Sequence, residues 1–104
     1  MKHIQLKTVT VNNSAVPAGF ALNYRREYLQ LLEVAPDGLT VGEMGDLIRV
    51  IGKLRALEDD GLLRLEDAEW TAFKTRVEKA KFQFVAAEIV DLISAVTNAP
   101  TVQE

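Results

Sequence analysis

The side chains able to do chemistry are few and scattered. The one histidine, His3, lies near the first residue. A Ser–His–Asp relay must draw on it together with Ser14 or Ser94. Neither serine sits in a G-x-S-x-G nucleophile elbow. With one histidine and no cysteine, a Cys–His pair, a multi-histidine metal site and a thiolate zinc site are excluded. The acids are denser: Glu58, Asp59, Asp60, Glu66, Asp67 and Glu69 crowd one stretch. Carboxylates so close suit a hard cation or an acid/base pair. However, Leu62, Leu63 and Leu65 interrupt the ligand spacing of a calcium loop. These acids therefore read as helix-end and cap charges. The phosphate-cradling patterns GxGxxG and GxxxxGK[ST] do not occur. The sequence predicts a non-enzymatic protein with no catalytic residue, no metal, no cofactor and no small-molecule ligand.

What remains is surface chemistry. Val16 and Phe20 flank a loop containing Pro17 and Gly19, and Phe82 and Phe84 fall at a break between two helical patterns. These four are the expected partner-binding residues, because apolar side chains in loops and breaks are the ones left uncovered. Trp70 reads as core, on a stripe with Phe73 and Val77. Arg25 and Arg26 are adjacent, so they fan apart on a helix and read as solvated charges.

The best-defined element is the stretch 39–57, LTVGEMGDLIRVIGKLRAL. Thr40 and Glu43 match a capping box, and Leu39 and Met44 suit the accompanying hydrophobic staple. Val41, Met44, Leu47, Ile48, Ile51 and Leu54 recur at helical spacing and predict one apolar face, with Arg49 and Lys53 on the other. Gly45, Gly52 and Ala56 form a second, small-residue stripe. It predicts close approach of another backbone, or a partner docking there. Gly61 marks the stop.

Around this helix, residues 2–11 read as a strand whose apolar phase switches near Lys7-Thr8. Residues 62–65 predict a second strand, since a lone strand leaves its backbone groups unpaired. Asn23 caps a helix over 24–35, with Tyr24, Tyr28, Leu31 and Leu32 inward. Asp67 caps a third helix. Phe82 and Phe84 cannot both face inward on one straight helix. A break at 81–84 therefore separates the third helix from a fourth, which carries Ile89, Leu92, Ile93 and Val96 and ends at Asn98 and Pro100. The expected fold is α+β, mainly α: about four helices with a two-stranded β element, residues 2–11 with 62–65. The central helix packs on the other three, burying Leu47, Ile48, Ile51, Phe73, Val77, Ile89 and Ile93. Residues 1–104 read as one domain with a frayed tail at 101–104.

Composition narrows the partners. A net charge of −3 disfavours a generic nucleic-acid or anionic-membrane binder. No stretch approaches the ~20 apolar residues that span a bilayer. The absence of cysteine fits a reducing cytoplasm. A protein partner or self-association is the expectation, in the cytoplasm of a bacterial host.

Two family resemblances follow. Leu39-Thr40, Glu43, Leu57-Glu58 and Gly61-Leu62 resemble marks of winged helix-turn-helix proteins, which implies a small DNA-binding regulator as the alternative role. That pattern needs a turn and a second helix in an interval that is too short here, and a basic base-reading face. Residues 35–99 are similar to small uncharacterised proteins of tailed phages and prophages. The likeness is carried by Pro36-Asp37-Gly38-Leu39, Glu43-Met44, Leu65-Glu66-Asp67-Ala68-Glu69-Trp70 and Asn98-Ala99, and the opening MKHIQLKT resembles the first strand of small phage tail or assembly proteins. This resemblance implies a phage-encoded accessory, assembly or host-interaction role.

Overall fold

The computed structural model describes residues 1–11, 16–34, 38–82 and 86–103. In chain order these form β1 (Lys2–Gln5), β2 (Thr8–Thr10), β3 (Ala21–Asn23), α1 (Tyr24–Glu33), α2 (Val41–Ala56), β4 (Leu62–Leu65), α3 (Asp67–Glu78) and α4 (Ala87–Thr97). The architecture is α+β and mainly α: four helices with two small antiparallel sheets.

Local chemistry fixes the helix starts. Thr40 Oγ1 accepts the Glu43 N–H at 3.2 Å and donates to the Glu43 carboxylate at 2.9 Å. The expected reach from Glu43 back to the Thr40 N–H is replaced by this hydroxyl contact. Gly38, just before the cap, has φ +79°, a conformation that costs a side-chain-bearing residue roughly 1–2 kcal/mol. From there α2 runs unbroken through Gly45 and Gly52. Asn23 accepts the Arg26 N–H at 3.0 Å and starts α1. At α3 the cap is Glu66, one residue earlier than expected, because the third helical residue, Glu69, accepts the Glu66 N–H at 2.8 Å.

β1 pairs with β4 as expected, and the pairing is antiparallel, Lys2 opposite Leu65 and Gln5 opposite Leu62. The 2–11 stretch is not one strand. It breaks at Leu6-Lys7, and β2 pairs instead with β3, Val9 opposite Leu22. The break accounts for the phase switch, and Ile4 and Leu6 before it and Val11 after it are all buried. The segment 101–104, expected to fray, is held at its start. Thr101 bridges Lys2, and Val102 N–H donates to the Met1 carbonyl at 2.8 Å. Glu104 lies outside the described residues.

The core gathers Tyr24, Tyr28 and Leu32 from α1, Leu47, Val50 and Leu54 from α2, Phe73 and Val77 from α3, and Ile89, Leu92 and Val96 from α4. Tyr28 is its polar anchor. Its ring meets Phe73 edge-on at 5.1 Å, and its hydroxyl donates to the Leu92 carbonyl at 2.7 Å. Burial, then the nearby Tyr24, pushes the Tyr28 hydroxyl well above the ordinary tyrosine range, so it stays a neutral donor.

Two expectations about the core are corrected. Ile48 is exposed, and Ile51 and Ile93 are half-buried, whereas Val50 is fully buried. The inward arc of α2 is thus Leu47–Val50–Leu54, rotated from the predicted stripe. α2 packs mainly on α1 and α3, while α4 lies on α3 and β1. The expected break between the third and fourth helices is present: α3 ends at Glu78 and α4 begins at Ala87, with Phe82 in the connection.

Candidate interaction surface

The expected chemistry can be placed residue by residue. His3, Asp91 and Ser94 do line one groove of about 540 Å³ between β1 and α4, beside Tyr24. A hydrolytic triad also requires backbone donors aimed at a developing oxyanion. Ser94 sits inside regular α4, where backbone amides are spent on the helix's own carbonyls. The groove therefore brings a serine, a histidine and an acid together without the strained turn that makes serine a nucleophile.

Of the acidic stretch, Glu66 and Glu69 form the capping box that starts α3. Among the described residues, no group of three or more histidine or acidic side chains is placed to hold a metal ion. Glu69 is buried and serves two purposes. It caps its own helix, and it accepts from Lys53 Nζ at 2.6 Å, with Arg49 Nε at 3.7 Å. Lys53 Nζ also donates to the Arg64 carbonyl at 2.9 Å, joining α2, α3 and β4 through one ammonium. Burial raises the Glu69 pKa, but the Lys53 bond, the Glu66 N–H and the two cations outweigh it and hold the carboxyl below its ordinary value. Arg49 and Lys53 lie off the predicted apolar face, as expected, and both reach towards α3 through Glu69.

Arg25 is also more than a solvated charge. Its Nε donates to the Leu54 carbonyl at 2.7 Å and its Nη2 to the Arg55 carbonyl at 3.0 Å. These carbonyls belong to the last turn of α2, where the helix leaves acceptors unmet and its dipole favours a cation. No local pattern around Arg25-Arg26 signals this, because its acceptors come from another helix. Trp70 packs half-buried against the core, as expected. Its Nε1 donates to the Val96 carbonyl at 2.8 Å, and Lys2 Nζ stands 4.3 Å from its ring.

Val16 and Phe20 are half-buried and packed against the core. Phe82 is only just exposed, at 37%. Phe84 lies outside the described residues.

Among the described residues, three of the six exposed large apolar side chains lie on the outer side of α2, the others being Val34, Phe82 and Val90. Val41 is 86% exposed, Ile48 60% and Met44 46%. Large apolar side chains are normally exposed singly, and three on one helix face is a concentration. Gly45 and Gly52 share that face. Among the described residues, a Cβ added to either would meet nothing within 4 Å, so the close approach expected of another backbone is not seen there. α2 is therefore apolar on two opposite arcs, one buried and one open.

Helix-turn-helix geometry is not present in 41–56, since α2 continues where that motif needs a turn. No described helix is long and apolar enough to cross a membrane. The chain matches no protein-family model, no curated protein and no solved structure with which it was compared.

Proposed function

We propose that this chain is a non-enzymatic protein-interaction or assembly accessory module that docks through the outer face of α2. The observation that carries the reading is the solvent exposure of Val41, Met44 and Ile48 on a helix whose opposite arc is fully packed. An amphipathic helix needs one apolar face for its own core, and a second face is suited to a partner. The phage or prophage origin, and with it the cytoplasm of a bacterial host, rests on the sequence resemblance of 35–99. A DNA-binding role is disfavoured because Arg49 and Lys53, the cations such a face would need, are already engaged by Glu69.

A photo-reactive residue at Ile48 tests the reading in expressing cells. The expected result is discrete protein adducts at Ile48, absent from the same probe at exposed Thr71 and abolished by Val41→Lys. Equal labelling at both positions, or none, overturns it.

A further inference from the structure

We propose that the cleft between the first half of α2 and α3 binds a small amphipathic carboxylate, an apolar body with one anionic head. The cleft is separate from the outer arc of Val41, Met44 and Ile48, so it binds or fails to bind independently of any docking there. It measures about 620 Å³, inside the roughly 300–1,000 Å³ range of small-molecule sites. Leu39, Leu47, Ala68 and Ala72 give it apolar walls. Thr75, Arg76 and Lys79 follow one another along one side of α3 and face the same space.

The unmet groups in this cleft are donors. Arg76 Nη2 donates to the Val34 carbonyl. Its Nε is buried with no hydrogen-bond partner, the one side-chain atom of which this is true among the described residues. Buried donors are almost always paired, so an unpaired one on a cation at the wall of a cleft points to an acceptor from outside the chain. Among the described residues no acid pairs with Arg76 or Lys79. The acids lining the cleft are already engaged: Glu43 accepts from the Thr40 hydroxyl, and Asp46 is paired with Arg49. Two cations thus stand without counter-charge beside apolar walls. A carboxylate with a hydrocarbon tail suits both. Its two oxygens match the edge of a guanidinium, and its tail covers Leu39, Ala68 and Ala72. One negative charge is also the limit, since Glu43 and Asp46 repel a larger one.

Titration with octanoate, followed by methyl and amide correlation spectra of the labelled chain, tests this site. Octanol and octylammonium carry the same tail on a neutral and a cationic head. Octanoate is expected to shift Leu39, Leu47, Ala68 and Ala72 with Kd on the order of 0.1–1 mM, and both analogues to bind about tenfold more weakly or worse. Arg76→Met is expected to weaken octanoate about tenfold and leave octanol unchanged, whereas a merely structural role would weaken both. Arg76→Lys, which keeps the charge, should recover part of the loss. Thr75 is exposed, so Thr75→Trp fills the cleft without entering the core. It is expected to abolish the octanoate shifts at an unchanged melting temperature. Octanol binding as tightly as octanoate, an octanoate affinity indifferent to Arg76→Met, or shifts that persist in Thr75→Trp overturn the proposal. So does the absence of any shift at about 5 mM octanoate, several times the weakest Kd expected.

Discussion

The two arcs of α2 have similar side chains and opposite fates. Leu47, Val50 and Leu54 lie in the core, while Val41, Met44 and Ile48 lie in water. Hydrophobicity does not separate them. The polar flank does: Glu69, brought in by α3, binds Lys53 and Arg49 and turns the helix about its axis. An apolar residue on α2 is thus buried or exposed according to its angle from those two cations. What distinguishes the arcs energetically is the presence or absence of neighbours.

That contrast can be broken by mutation. The largest effect is expected at Leu54, fully buried, where Leu54→Ala should cost about 2–5 kcal/mol in chemical denaturation. Little or no loss would mean that the inward arc is misplaced. Next comes the flank itself. Glu69→Ala leaves Lys53 and the Glu66 N–H without their acceptor and should cost about 1–3 kcal/mol. Its pH signature has a definite sign. The folded carboxyl titrates below its ordinary value near 4.5, so its contribution is present above that value and is lost as the pH falls through the lower, folded one. The stability gap between the unmodified chain and Glu69→Gln should therefore narrow on acidification below about pH 4.5. A gap that is constant down to acid unfolding would contradict the clamp.

On the outer arc the effects shrink and change sign. Gly45→Ala and Gly52→Ala should each stabilise the monomer by about 0.5–1 kcal/mol, since neither added methyl meets a neighbour. Ile48→Ser should move stability by less than about 0.5 kcal/mol. A large loss at Ile48 would place it in the core after all.

The sequence discloses what is local. Thr40 and Asn23 cap their helices where expected, because the cap residue and its acceptor or donor lie within three positions. Strand pairing of 2–5 with 62–65 follows from the need to satisfy backbone groups. The strand Ala21–Asn23 escapes notice because three residues carry no period and its partner, β2, hides inside an apparently continuous strand. The rotation of α2 is illegible for a different reason. Val50 and Ile51 are adjacent, so two apolar stripes fit the spacing, and the choice is made by Glu69 from a later helix. Arg25 is misread in the same way, since its carbonyl partners are distant in sequence. The candidate surface was visible as composition, in the glycines of 45 and 52. By spacing alone its apolar neighbours belong to the core face of the helix, and the expectation of exposure falls on Val16, Phe20, Phe82 and Phe84.

The most direct measurement is the broadening of methyl carbon–proton correlations by a soluble paramagnetic probe on the isotope-labelled chain. Broadening should be strong at Val41, Met44 and Ile48 and weak at Leu47, Val50 and Leu54 on the same helix. Equal broadening on both arcs, or protection of Ile48, would contradict an α2 that is packed on one side and open on the other.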